Sequence, residues 1–262
     1  STPKPSSAAS DVYKRQHEKN VGKYEDGLFA LFMQKNNSPA RVKGVTVLVH
    51  DYIDSYENPR RAWSYSPATR RVRRAPDITY DTLVNASPLI VVDQYGTFNG
   101  AQDKYNWELK GTKKMIVVGV SNALGNNPLE VTHGAGHLNS EYVNYEEKEV
   151  AVVHATLKDG QRHLYASRTF YVTTDSYYIV SQDIYDGKGN LMRHATNPLS
   201  TEVSGLGGDC TISAEATFDF ATRQYAVNNM LGNAINSQPA VYNGPSKDVS
   251  FYSPDGLRRY AR

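Results

Sequence analysis

Few residues in this chain have the types and spacing to do chemistry. His133 and His137 stand four apart, with Glu130 and Glu141 nearby. On a helix the two imidazoles would face one way and could hold zinc. Gly134 and Gly136 argue instead for a glycine-rich connection, and the glutamate of a His-Glu-x-x-His helix is absent. Cys210 has Asp209 beside it and no basic neighbour in sequence to lower its pKa, so it reads as a buried structural thiol. As the sole cysteine it can form neither an internal disulfide nor a multi-thiolate site. There is no Gly-x-Ser-x-Gly elbow. The Gly205–Gly208 run precedes a strand rather than a helix, so it is no phosphate loop. The carboxylates are scattered, without the paired spacing of acid–base work. No catalytic residue, metal ligand or cofactor site is assigned, and the chain is expected not to be an enzyme.

Two residue classes with binding potential share one hairpin between Arg60 and Asp81. Trp63 and Tyr65 lie on its first arm, Ser66–Thr69 at the turn, and Arg70, Arg71, Arg73 and Arg74 on its return, ahead of Tyr80. In a strand Arg71 and Arg73 share one face, and Arg70, Val72 and Arg74 the other. One arginine pair at the rim of an apolar cavity would take an anionic head group, since guanidinium forks match carboxylate or phosphate. The same arginines could equally pair with Asp81, Asp93 or Asp183 and fix the sheet's register. Trp63, Tyr65 and Trp107 could line a lipid-binding surface or pack across strands in the core. The residues expected to contact a ligand are Trp63, Tyr65, Arg71, Arg73, Tyr80, Trp107, Tyr165 and Phe170.

The elements that must position these groups read as strands. They are Leu28–Met33, Val45–Tyr52, the hairpin, Leu89–Asp93, Asn106–Lys110 and Lys113–Val120. Residues 121–147 read as a loop. A four-strand meander follows: Val150–Leu157, Gln161–Thr173, Tyr177–Tyr185 and Leu191–His194, with turn residues at Lys158–Gly160, Thr174–Ser176 and Asp186–Asn190. Thr211–Phe220 and Gln224–Asn229 form another hairpin. Ser253-Pro254-Asp255 is a helix start, leading into Leu257–Ala261. Leu164, Tyr165, Phe170, Tyr171 and Val172 put apolar groups on both faces, as a sheet covered on both sides or curled around something requires.

Composition narrows the partners. The net charge of +2 with only a local basic cluster excludes a global nucleic-acid surface. No run reaches the roughly 20 apolar residues of a membrane helix. Nineteen Tyr against seven Phe suit half-wet sheet surfaces. Residues 1–16 share no pattern with the rest and read as a disordered tail resembling sequencing-adapter read-through. Residues 17–262 are then expected to form a single β domain, truncated at its N-terminus.

Several segments together resemble one family. They are AWSYSPATRRVRRAPDITYD, DQYGTFNGAQDKYNWELKG from Asp93, GHLN from Gly136, the stretch His163–Arg193, and YSPDGLRR from Tyr252. They resemble the domain-of-unknown-function 1329 family of Gram-negative bacteria, from about Gly27 to Arg262. The resemblance implies a mainly β fold like the LolA/LolB lipoprotein carriers, a large curved antiparallel sheet or half-barrel with a few short helices. It implies exported proteins with a signal peptide, periplasmic or outer-membrane-associated. The implied role is non-enzymatic carriage of a lipid or other hydrophobic molecule, with an envelope transporter or outer-membrane protein as partner. The alternative is a structural scaffold of an outer-membrane or efflux-transporter complex. The family has no established catalytic residues.

Overall fold

The computed structural model describes residues 27–37, 40–75, 80–84, 89–201, 211–212, 214–228 and 247–262. The chain is mainly β, antiparallel throughout its named strands, with short helices, as expected. It forms two compact units, Ser1–Pro76 with Pro245–Arg262, and Asp77–Gly244. No helix among the described residues is long and apolar enough to cross a membrane. Cys210 and the Gly205–Gly208 run lie outside the described residues.

The first unit is a four-stranded sheet in sequence order: β1 Leu28–Lys35, β2 Thr46–Tyr52, β3 Arg61–Ser66 and β4 Arg71–Arg74. Trp63 and Tyr65 alternate onto one face with Leu48 and Val72. There they meet Leu257 and Ala261 of the C-terminal helix Pro254–Ala261. That helix starts as its sequence demands. The Ser253 Oγ accepts the Gly256 N–H at 3.0 Å, and Pro254 occupies the first turn, where its missing N–H is not needed. Gly256 is required because a Cβ would collide with the Phe251 carbonyl. Arg70 does not join the face of Val72, contrary to the alternation. It sits in the turn at φ 54, which takes it out of the strand's period.

The second unit is built on a seven-stranded sheet of order β13-β12-β9-β8-β7-β6-β5. Its strands are β5 Tyr105–Val118, β6 Tyr145–Leu157, β7 Ser167–Thr173, β8 Ile179–Tyr185, β9 Leu191–Thr196, β12 Glu215–Asp219 and β13 Gln224–Asn228. A short pair, β10 Leu199–Ser200 and β11 Thr211–Ile212, lies apart from it. Among the described residues β5 and β13 are open edges, so the sheet does not close into a barrel.

Four expectations fail locally, each for a physical reason. The two strands expected around Gly111 are one 14-residue strand. The register slips between Leu109 and Gly111, and glycine at φ 112 absorbs the bend. Leu89–Asp93 is not a strand. One bridge, Leu83–Val91, gives way to a 3-10 turn at Val92–Gln94, because Asp93 and Gln94 turn inward to bond side chains of the sheet. The strand expected from Gln161 begins only at Ser167. The Tyr165 N–H donates to the His163 Nδ1 two residues back, so this stretch bonds locally instead of to a neighbouring strand, and both rings are buried. Residues 121–147 are not merely loop. Two short helices, Asn122–Asn126 and Leu129–Thr132, and a 3-10 turn at Ser140–Tyr142 hold Leu124, Leu138 and Val143 against Val118 and Ala216.

Candidate functional site

Antiparallel register places residues of one face in rows across the sheet. One row runs Trp107, Ala155, Arg168, Ile184, Arg193, Asp219. The next runs Leu109, Val153, Phe170, Gln182, Ala195, Thr217. The apolar members come from strand alternation. The two arginines, Asp219, Gln182 and Thr217 break it.

Their partners come from residues 89–105, which lie over this face. Arg168 is fully buried, and its Nη2 donates to Asp93 Oδ2 at 2.5 Å and to the Tyr105 hydroxyl at 3.1 Å. His163 Nε2 stands 3.1 Å from the same carboxylate oxygen. Burial pushes the Asp93 carboxyl up, but the Arg168 guanidinium and His163 outweigh it and hold it below the usual carboxylate range. Burial pushes the Tyr105 hydroxyl up to about 12, so it stays protonated. The Arg168 guanidinium also lies 4.8 Å from the Tyr165 ring centre, a cation–π contact. Arg193 donates through Nε to Asp219 and through Nη1 to the Tyr165 hydroxyl and the Leu89 carbonyl. These charges sit in an apolar interior only because each is paired.

Thr97 fastens the covering segment. Its N–H donates to Glu215, its carbonyl accepts from Gln182, and its hydroxyl accepts from the Asn197 amide. It does so at φ 76, a costly conformation for a β-branched residue. Gly100 is needed close by, since a Cβ there would lie 2.9 Å from Asp93 Oδ2.

Beside this sealed region the same face carries exposed apolar side chains. Trp107 stacks on Phe170 at 5.8 Å and meets Phe98 edge-on at 5.3 Å, and its Nε1 donates to the Gln102 carbonyl. It is nevertheless 40% exposed. Leu109 and Ile116, on the same face of β5, are 67% and 63% exposed. Half-buried Val153 and Val172 continue the surface inward. Thr112 and the Lys114–Glu147 pair separate Ile116 from Leu109, so the apolar surface is the aromatic wall with Leu109 beside it. Such a wall, fixed by packing, can hold an apolar molecule by burial alone.

The family described as "Protein of unknown function (DUF1329)" matches residues 4–258. This chain belongs to that family. A DUF1329 protein from Desulfovibrio piger has a similar solved structure, with TM-score 0.56 and 17% identity, covering 87% of this chain and 76% of that one. A Vibrio parahaemolyticus domain assigned to outer membrane lipoprotein sorting is also similar, with TM-score 0.57 and 15% identity, covering 90% of this chain and 80% of that one. These likenesses establish the fold. Among sequences, the "Uncharacterized protein PA3922" of Pseudomonas aeruginosa is 33% identical over 247 residues. The match covers 92% of this chain and 52% of that protein, so the DUF1329 chain here spans about half the length of the curated relative it matches.

Of the residues expected to contact a ligand, Trp107, Tyr165 and Phe170 belong to this one face. Tyr165 and Phe170 are buried in it, and Trp107 is open to solvent. Tyr80 is half-buried, with the Lys104 ammonium 5.0 Å from its ring centre. Trp63 and Tyr65 belong to the first unit's core beneath the C-terminal helix, where Trp63 meets His50 edge-on. Arg71 and Arg73 are exposed on β4, and no carboxylate among the described residues pairs with them. Asp93 and Asp183, considered as their partners, are bonded to Arg168 and to His194 and Tyr171 instead.

His133 and His137 flank a turn closed by the Gly134 N–H and the His137 carbonyl. Their Nδ1 atoms lie against Thr132 Oγ1 and the Leu138 carbonyl. Burial pushes the His133 imidazole pKa down.

Sequence reasoning missed Arg168, His163, Gln94 and Thr97. Their signal was a set of polar residues inside otherwise β-like runs. It also missed a chain of bonds on the opposite face. There the cross-strand row runs Glu108, His154, Thr169, Asp183, His194.

Proposed function

We propose that this chain is the ligand-binding part of a periplasmic or outer-membrane-associated carrier or accessory protein, which takes a lipid or other hydrophobic molecule. One observation carries the reading: exposed Trp107 and Leu109, two apart on one face of β5, beside the packed aromatic group of Phe98 and Phe170. Burying such groups against an acyl chain contributes about 25 cal/mol per Å² without any reaction. The lipoprotein-sorting fold of the Vibrio domain supports the same reading.

The scaffold alternative would use the long open edge of β5. That edge carries Lys110, Lys113, Lys114 and the Gly111 bulge. Lysines and bulges discourage strand addition, so the carrier reading is favoured.

Trp63 and Trp107 are the two tryptophans. In a Trp63→Phe variant, titration with lysophospholipid is expected to shift Trp107 emission to the blue. Emission that stays unchanged up to the micelle-forming concentration contradicts the proposal.

A further inference from the structure

On the other face of the seven-stranded sheet, three side chains form a hydrogen-bonded chain. His194 Nδ1 lies 2.6 Å from Asp183 Oδ1, and His194 Nε2 lies 3.3 Å from the Ser181 hydroxyl. Ser181 and Asp183 are two apart on β8 and so share a face. His194 stands opposite Asp183 on β9. The second oxygen of Asp183 accepts the Tyr171 hydroxyl at 2.6 Å, which fixes the carboxylate. An ionised carboxylate on Nδ1 selects the tautomer whose Nε2 is a free acceptor, aimed at the serine. Burial raises the Asp183 pKa, but bonds from His194 and Tyr171, with the nearby Lys113 charge, leave it lowered.

From this geometry we infer that Ser181 is an activated nucleophile, with His194 as its base and Asp183 as the group that orients the base. This goes beyond the carrier reading and uses the opposite face, so neither depends on the other. The register skips Val180 between Ile179 and Ser181, a bulge of the kind that re-aims a side chain beside a site. Ser181 is 4% exposed, and the His194 side chain opens the chain of bonds to solvent at 30%. Lys113, its Nζ 4.7 Å from the Tyr171 ring centre, provides positive potential on this face. Met115, Tyr171 and Tyr178 form a half-buried apolar wall over Val117, Val150 and Val180. The substrate class that fits is an ester of an apolar carboxylic acid.

The Ser181 Oγ would bond to the ester carbonyl carbon as its proton passes to His194 Nε2. The carbon–alkoxy bond breaks, and the alkoxide leaves with that proton. Water then releases the acid and restores the serine.

The test is labelling of the full chain with a fluorophosphonate, which loses fluoride as it phosphonylates an activated hydroxyl, read by intact mass and peptide mapping. One adduct at Ser181 is expected, absent in Ser181→Ala. Its rate should fall about a hundredfold in His194→Gln, since a positioned base supplies ~10²–10⁴-fold. Far-UV circular dichroism and the melting temperature check that His194→Gln is folded; if it is not, Asp183→Asn takes its place with the same expected fall. No adduct on the wild type, an adduct only at another residue, or an undiminished rate in the folded variant overturns the inference.

Discussion

Arg168 and Asp93, 75 residues apart in sequence, meet at 2.5 Å with side chains 0% and 1% exposed. The pair ties the covering segment to the middle of the sheet. Removing one partner strands a buried charge, at a cost of about 3–5 kcal/mol. Arg168→Met is therefore expected to lower the urea midpoint sharply. Arg168→Met with Asp93→Asn should recover much of the loss, because no bare charge remains. Equal destabilisation by the single and double variants would contradict the pairing.

Acid should unfold this protein through its paired carboxylates. Asp93, Asp183 and Asp219 all have lowered pKa values in the fold. For Asp219, burial raises the pKa but bonds from Thr222 and Arg193 more than offset it. A depressed folded pKa adds stability that is fully present above the unfolded value, about 3.9. It is lost as pH falls through the folded values. The urea midpoint should be flat near neutrality and drop below about pH 4. Asp93→Asn should be less stable at pH 7 and show a shallower acid limb. A parallel profile would show that Asp93 does not contribute.

The strands of the meander were legible because β-branched and aromatic runs, and turn residues such as Asp186–Asn190, are local signals. The cap of the C-terminal helix was legible for the same reason, in Ser253-Pro254-Asp255. The role of Arg168 was not. Its partner Asp93 lies in a segment that looks like a strand, and only the fold brings them together. Trp107 and Phe170 were picked out as a type. What sequence could not show is that Trp63 and Tyr65 serve a helix in the other unit. The Ser181–His194–Asp183 chain escaped notice because its spacing follows from strand register, and that register includes a bulge at Val180.

Helix capping gives a local check on the first unit. Ser253→Ala removes the acceptor for the Gly256 N–H and should cost about 1 kcal/mol. Amide hydrogen exchange should speed up along Pro254–Ala261, while amides of β6 and β7 keep their protection. Unchanged exchange in the helix would contradict the cap.

The exposed apolar groups of β5, Trp107 and Leu109 above all, are expected to bind a hydrophobic molecule. Leu109 and Ile116 are open enough that replacing them should leave the core intact, and far-UV circular dichroism checks the fold of a variant that also lacks Trp107, which packs on Phe170 and Phe98. Native mass spectrometry of the chain, purified from an envelope fraction, tests the claim most directly. The wild type is expected to retain an added mass identifiable as a lipid. Trp107→Ala with Leu109→Ser and Ile116→Ser should lose that mass while remaining folded. A wild type that never retains lipid, or a triple variant that retains it equally, would contradict the account.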